Sequence, residues 1–432
     1  MQKFRSLRVV LVNMPVPEIE DDRRQPPGGL VSMATYASQL GYEIALHDLS
    51  GIFLPTKDLC DLLPAADVYG FSMYTVTHQD TLALVAELRR QYPQAVFIAG
   101  GPHASALPAE VAPHFDFVVC GEGEYALVDL LRCIEQGQLD QMHKIIHATP
   151  IQDLESLPFP DFYRFSAIAS YTRRLNGIPT ISLDSSRGCN FRCRFCNSRV
   201  VERGEWRMRS AESVASEVFW HCEHDWHAVR FNDDNFLADR QRALRICELL
   251  RPLSIHFRIF GRAETLDQEL CDALAKAGCV HIGVGIESLS PSILARMGKA
   301  TRVSRIREGV HAARLAGIAV RGFFICGYPG ETNQTIAESI DALGNLALDE
   351  AVVYPCIPYP GTDLFARPEQ YGITWIDPDY SKFVQIGVHR SAGFVMRTNT
   401  FGPDDVRAWH TQYMRAFDNF GIGWSSERGI AI

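Results

Sequence analysis

Short apolar runs that close on glycine or small polar residues recur along this chain, each followed by a stretch whose apolar residues fall at helical spacing. A chain that alternates in this way is confined to α/β architectures with parallel sheets, because each helix carries the chain back to start the next strand in the same direction. Leu7–Asn13, Glu43–Asp48, Val68–Ser72, Gln94–Ala99 and Phe115–Cys120 read as the strands of a first series. Five such strands with intervening helices predict a doubly wound, Rossmann-like domain over residues 1–150, with its ligand crevice at the carboxyl ends of the strands. Pro150 to Tyr171 reads as a linker, because Leu157-Pro-Phe-Pro160 cannot hold a helix; Asp161-Phe-Tyr163 is expected to pack between domains, and the linker is set at 151–176. A second series follows, with strands at Ile178–Asp184, Ala228–Asn232, Ile255–Gly261, Val280–Gly285, Ala319–Cys326 and Ala351–Ile357. Six βα units predict a partial, open (β/α)6 barrel over 177–365, whose active centre sits at the strand carboxyl ends. Aromatic-rich residues 366–432, including Tyr380-Ser-Lys-Phe-Val-Gln385, are expected to form a small cap.

The loop after the first barrel strand holds Cys189, Cys193 and Cys196 in the order Cys-x3-Cys-x2-Cys. Thiolates this close in sequence converge on one metal centre without help from distant segments. Three of them fit an iron–sulfur cubane that keeps one iron free of protein ligands, an open position comparable to that on catalytic zinc. Phe191 and Phe195 would shield such a cluster from water. A structural zinc would want a fourth Cys or His, for which His221, Cys222, His224 and His227 are nearest, and a disulfide needs an even count.

This spacing after a first β-strand, with an aromatic before the third cysteine, resembles the radical S-adenosylmethionine (radical SAM) superfamily. The resemblance implies a [4Fe-4S] cluster whose open iron chelates SAM, and one-electron cleavage to a 5′-deoxyadenosyl radical that abstracts a substrate hydrogen. It also directs attention to the strand ends. Asp233 and Asp234 fall where the family binds the SAM ammonium, although the usual Gly-Gly-Glu is replaced. Arg262 offers a guanidinium to a carboxylate. Gly283-Val-Gly285-Ile-Glu287-Ser288 matches a related Gly-x-Glu-Ser pattern, which implies that Glu287 and Ser288 approach the SAM ribose or amino group. Gly327-Tyr-Pro-Gly330-Glu331-Thr332 opens a helix, with Glu331 as a further candidate SAM contact. Asp234, Asn235, Glu331 and Thr332 read equally well as helix caps. Lys299 reads as a solvated lysine. Cys326 and Cys356, at strand ends, are candidate hydrogen-atom donors or radical quenchers, or else small buried hydrophobes. Cys60, Cys120, Cys133, Cys222, Cys247, Cys271 and Cys279 read as core.

In the first series, the loops Gly70-Phe-Ser72-Met-Tyr-Thr75, Gly100-Gly101-Pro-His103-Ala-Ser105 and Gly121-Glu-Gly123-Glu124 lie at strand ends. With the entry Pro26-Pro27-Gly28, they resemble the cobalamin-binding domain that precedes one branch of radical SAM enzymes. The resemblance covers residues 7 to 135 and implies Ser72, Gly100, Gly101, Gly121 and Gly123 as corrinoid contacts, with His103 either lining the tail pocket or serving as a polar loop residue. The string Asp-x-His-x-x-Gly of His-bearing cobalamin domains is missing, so a bound corrinoid would lack that histidine ligand.

Composition narrows the rest. With 432 residues, 47% hydrophobic and 22% charged, the chain has room for two or three globular domains. A net charge of −9 argues against a nucleic-acid partner, and the local basic run Arg187 to Arg209 suits an anionic cofactor. No run reaches membrane-span length, and the start leads straight into a strand, so a cytoplasmic protein without a membrane partner is expected. The resemblance favours cobalamin-dependent C-methylation of a small-molecule substrate, fed by a one-electron reductase such as flavodoxin, ferredoxin or a dedicated dehydrogenase. A radical dehydratase or deoxygenase acting on a sugar or aminoglycoside, with the corrinoid domain idle, is the alternative, ahead of a non-catalytic corrinoid or cobalt sensor.

Overall fold

The computed structural model describes residues 7–17, 21–202, 204–384 and 393–423. Its contacts divide the chain into two compact units, the first built on residues up to Thr172 with 199–202 and 378–384 added, the second on the remainder.

The first unit is one parallel sheet of order β2-β1-β3-β4-β5-β6. Its strands are β1 (Arg8–Asn13), β2 (Glu43–Asp48), β3 (Val68–Ser72), β4 (Val96–Gly100), β5 (Phe117–Cys120) and β6 (Ile145–His147). Helices α1 (Gly28–Gln39), α2 (Thr56–Asp61), α3 (His78–Gln91), α4 (Gly101–Ala106), α5 (Pro108–Val111) and α6 (Glu124–Glu135) connect them. Val9 to Val12 are all buried, as a strand covered on both faces requires. The chain leaves β1 for β2 on one side and returns to β3 on the other, so the switch point lies between β1 and β3.

Two expectations change here. The sheet has a sixth strand, β6, beyond the five expected, since its three residues are too few for a periodic signal. The linker segment holds one helical turn, α7 (Phe162–Phe165), capped by Asp161 and packed on α1 of the same unit; the Asp161 amide donates to Thr35 Oγ1 at 2.9 Å. Its proline-rich neighbour forms no helix, as expected, but the turn begins as soon as the prolines end. Another turn, α8 (Arg199–Glu202), also packs within this unit, against α4.

The second unit opens with a hairpin, β7 (Arg174–Leu175) and β8 (Ile178–Pro179). Its main sheet is parallel throughout, in the order β16-β15-β14-β13-β12-β9. The strands are β9 (Ile181–Leu183), β12 (Ala228–Phe231), β13 (His256–Gly261), β14 (Cys279–Glu287), β15 (Ala319–Cys326) and β16 (Glu350–Pro355). A two-stranded ribbon, β10 (Ser186–Arg187) with β11 (Arg207–Met208), stands beside the cysteine loop, and β17 (Ile373–Ile376) pairs with β18 (Met396–Thr398). The helices are α9 (Ala211–Cys222), α10 (Arg240–Leu250), α11 (Gln268–Lys276), α12 (Pro291–Arg296), α13 (Val303–Leu315), α14 (Asn333–Leu343), α15 (Asp363–Ala366) and α16 (Pro403–Asn419).

Side-chain caps fix where these helices start. Ser210 accepts from the Ser213 amide, Asp239 from Arg242, Asp267 from Leu270 and Thr332 from Thr335. Asp234 and Asn235 therefore do not cap α10, because Asp239 does. The expected cap domain is divided: residues 378–384 pack with the first unit, while α16 packs on β16 and α14 of the second. Gln385 lies outside the described residues. Cys133 and Cys222 are only half-buried, each near a helix end where one face meets solvent, and so are not core. Among the described residues, no helix is long and apolar enough to cross a membrane.

Candidate active site

Cys189, Cys193 and Cys196 follow β9 and its short ribbon strand β10, at the carboxyl edge of the main sheet. All three are free thiols of intermediate burial. Burial pushes the Cys189 thiol up and the Cys196 thiol to about 11, so metal binding must displace their protons. Among the described residues, the one trio of His, Cys, Asp or Glu with all ligand atoms within 4.8 Å of one another lies elsewhere. The cysteine triad is wider than that, whereas thiolates about 2.3 Å from a single tetrahedral zinc would sit closer together. The donor chemistry and the spread both suit a multi-iron cluster.

Named side chains hold this loop. Arg262, just past β13, aims Nη1 at Cys193 Sγ (3.6 Å) and lies over the Phe191 ring, 3.9 Å from its centroid. Its Nε donates to Glu264 Oε1 at 2.6 Å. On another flank, the Arg194 amide donates to the Met297 carbonyl (3.0 Å) and Arg194 Nη1 to the Arg296 carbonyl (3.2 Å). Phe195 meets Tyr328 edge-on at 6.5 Å, and the Tyr328 hydroxyl donates to the Arg296 carbonyl at 3.1 Å. The stretch Arg296-Met-Gly-Lys299 is thus the wall of the cysteine loop.

The structure distributes the other strand-end residues among distinct tasks. Asp233, buried, accepts from the Ser185 amide (3.2 Å), Ser185 Oγ (2.7 Å) and Ser186 Oγ (2.5 Å), and so locks the end of β9 to the end of β12. Asp234 is exposed but ringed by protein mass. That surrounding, with Asp233 beside it, raises its carboxyl to about 6. Its charge also acts on Cys189 and Cys196. Asp184, which sequence reasoning passed over, is also exposed at its surface, yet the surrounding protein raises it to about 6 against the Arg187 charge, with the Asp233, Glu217 and Asp234 charges adding to the rise.

Glu287 has a left-handed backbone (φ 67°), and its Oε1 lies 3.3 Å from Lys299 Nζ. Lys299 is only 3% exposed and also donates to the Gly285 carbonyl. The solvated-lysine reading is therefore corrected: a partly buried acid at a strand end supplies the partner that makes a buried lysine tolerable. Ser288 is buried, with its hydroxyl 3.1 Å from Ser339 of α14. Glu331 is buried, accepts from the Gly327 and Tyr328 amides, and is pushed up to about 8 by desolvation. It clamps its own loop, while Thr332 caps the helix. Cys326 and Cys356 are both buried beside Glu331, with thiols raised by desolvation, and their strands join through the Cys356 amide and Cys326 carbonyl at 2.7 Å.

In the first unit, Gly101 (φ +86°) lets β4 close on the turn after β3: a Cβ there would sit 2.8 Å from Met73 N and 2.9 Å from Ser72 Oγ. Gly121 (φ +103°) and Gly123 open the loop after β5, where a Cβ on Gly123 would strike the Met33 sulfur. Gly100 ends β4 with nothing nearer than 3.9 Å to its missing side chain. The missing side chains of Gly101 and Gly123 let neighbouring protein pack close, while Gly100 leaves open space, all at the strand ends where a doubly wound sheet takes its ligand. His103 is 0% exposed, so it is neither a polar loop residue nor part of an open pocket wall. Its ring packs at a tilt against His78, at the start of α3, with centroids 4.5 Å apart, an arrangement with no local sequence signal.

The family comparisons divide the chain along the same lines. Residues 183–343 match the model of the radical SAM superfamily, and residues 23–131 that of the B12-binding domain. An uncharacterised methyltransferase of Pyrococcus horikoshii is 28% identical over 79% of this chain and 78% of its own length. The radical S-adenosylmethionine methyltransferase TsrM from Kitasatospora setae, solved with cobalamin and a [4Fe-4S] cluster bound, matches with a TM-score of 0.70 at 19% identity, covering 87% of this chain and 76% of that one. The cobalamin-dependent S-adenosylmethionine radical enzyme OxsB, solved with aqua-cobalamin and S-adenosylmethionine, matches with a TM-score of 0.68 at 18% identity, over 97% and 68%. At such identities, the two solved structures speak for the fold. With its cysteine triad at the edge of one sheet and its glycine-lined strand ends on another, the chain carries a radical SAM domain over residues 183–343 and, ahead of it, a B12-binding domain over residues 23–131, and is an enzyme of the radical SAM class.

Proposed function

We propose that this enzyme methylates an unactivated carbon of a small-molecule substrate, with residues 1–150 holding cobalamin and 177–365 holding a [4Fe-4S] cluster and SAM. The observation that carries the reading is the convergence of three free cysteines, Arg262 and Asp234 at strand ends of the second unit, in a chain whose first unit has a glycine-lined sheet edge. When bound, the cluster with SAM supplies one-electron generation of a hydrogen-abstracting radical, and the corrinoid supplies a transferable methyl group.

The chain's own residues position these groups. Cys189, Cys193 and Cys196 would ligate iron as thiolates; burial opposes the thiolate at Cys189, and the positive charge of Arg262 offsets part of that. Arg262, already stacked and paired, is set to receive the SAM carboxylate. Asp234, which is exposed, is set to accept from the SAM ammonium, while Asp233 beside it holds the turn in place. The Glu287–Lys299 pair keeps the end of β14 charged and ordered beside the wall of the cysteine loop. Glu331 orders Gly327 to Gly330, so that backbone approaches the site closely. A one-electron reductase completes the cycle.

The test uses SAM with a deuterated methyl group, under anaerobic reduction, with candidate acceptors. The reading requires both 5′-deoxyadenosine and a product heavier by the labelled methyl. Cleavage of SAM with dehydrated or ring-closed product and no methyl gain would sink it.

A further inference from the structure

The first unit holds a second cluster of ligating side chains. His78 opens α3, His103 lies in α4 and Glu110 in α5, so each of the three helices after β3 and β4 contributes one group. One nitrogen of each imidazole and one Glu110 oxygen all lie within 4.8 Å of one another. His78 Nε2 is 3.5 Å from Glu110 Oε1. Both histidines are buried, yet among the described residues His78 Nδ1 and Nε2 and His103 Nε2 have no hydrogen-bond partner. A buried polar atom left unpaired costs about 1–3 kcal/mol, so three in one contact are expensive as mere packing. A cation would satisfy one nitrogen of each ring.

The surroundings favour ligation. His103 Nδ1 is 3.3 Å from Thr75 Oγ1, an outer contact that can fix the ring and turn the Nε2 lone pair towards the trio. Burial pushes His78 down and His103 to about 3, so both are neutral donors at physiological pH. Tyr380 packs edge-on against both rings, at 5.8 Å and 5.4 Å, and shields them from water. The Glu110 side chain remains 41% exposed, which leaves a route for the ion and a position for water. Two imidazoles and a carboxylate suit a borderline divalent ion, and not the hard cations that prefer oxygen alone.

We propose that His78, His103 and Glu110 form a mononuclear site for a divalent transition metal of the zinc class, separate from the cysteine triad, which ties α3, α4 and α5 together. The site does not depend on the proposed reaction. Full-length protein with its iron–sulfur cluster loaded, so that the thiols are occupied, is washed with chelator and titrated with Zn2+ against a chromophoric chelator. Zinc K-edge X-ray absorption is then recorded. Tight binding of about one zinc is expected, with nitrogen and oxygen neighbours at about 2.0–2.1 Å and imidazole scattering. Glu110→Ala, at a partly exposed position, should weaken binding by about tenfold or more, and His103→Ala further, with folding checked by circular dichroism. Sulfur neighbours at about 2.3 Å, no retained zinc, or unchanged affinity in Glu110→Ala would overturn the proposal.

Discussion

Replacing Gly101 with alanine tests whether the loops at the ends of β3 and β4 are built around a missing side chain. Gly101 has φ +86°, and its Cβ would lie 2.8 Å from Met73 N, 2.9 Å from Ser72 Oγ and 3.0 Å from Met73 O. That backbone cannot step aside cheaply: the Met73 amide donates to the Gly100 carbonyl at 2.8 Å, and the Met73 carbonyl accepts from the His103 amide at 3.0 Å. Gly41 supplies the control, since it has φ +94° and nothing within 4 Å of its Cβ. Both substitutions incur the left-handed penalty of about 1–2 kcal/mol. Both recover about 0.4–1 kcal/mol from a stiffer unfolded chain. Only Gly101→Ala adds overpacking, of about 1–3 kcal/mol. Gly41→Ala should therefore cost about 1 kcal/mol and Gly101→Ala about 2–4 kcal/mol. Hydrogen–deuterium exchange of β1 and β4 amides in the cobalamin-free, full-length protein measures the local opening free energy without assuming one transition for both units. After reconstitution, Gly101→Ala should also lose cobalamin while Gly41→Ala keeps it. Equal losses in the two variants, with cobalamin retained in both, would refute the close-approach argument.

Other substitutions probe the second unit. Glu331 is raised from its ordinary 4.5 to about 8, so the folded state holds a proton that the unfolded state releases; stability falls as pH rises between those values, by up to about 1.4 kcal/mol per pH unit. Glu331→Gln keeps a carbonyl acceptor for the Gly327 and Tyr328 amides, and thermal melts across pH 5–8 should lose that slope; parallel curves would show that Glu331 ionises normally. Arg262→Lys cannot reproduce the fork on Glu264 together with the stack on Phe191. It should lower SAM cleavage by about tenfold at unchanged iron content, and loss of iron instead would make Arg262 a cluster-folding residue. Lys299→Met leaves Glu287 without its partner and should destabilise the fold by about 3 kcal/mol by chemical denaturation, whereas the solvated-lysine reading expects no change. Cys189→Ser, Cys193→Ser and Cys196→Ser should each abolish 5′-deoxyadenosine formation, and activity retained by any one would mean the triad is not the cluster ligand set.

Both sheets were legible in the sequence because period and punctuation agree: buried runs such as Val9–Val12 end in polar loops, and caps such as Asp239 and Asp267 begin the helices. The cysteine triad was legible because its ligands are local. What escaped depends on partners far apart in the chain. Lys299 looks solvated until β14 brings Glu287 to it. His78 and Glu110 carry no motif, and they meet His103 only once three helices have packed. Ser288 belongs to a recognisable pattern, yet its hydroxyl is taken by Ser339, 51 positions along the chain, which no local spacing foretells. Strand β6 escaped for a different reason, since three residues make no period.

The most direct test of the account is the iron and cobalt content of the chain, purified anaerobically from cells supplied with cobalamin. About four irons and about one cobalt per chain are predicted, with the iron lost and the cobalt kept in Cys193→Ser. Iron without cobalt would contradict the corrinoid assignment of the glycine-lined strand ends, and the absence of iron would contradict the cluster itself.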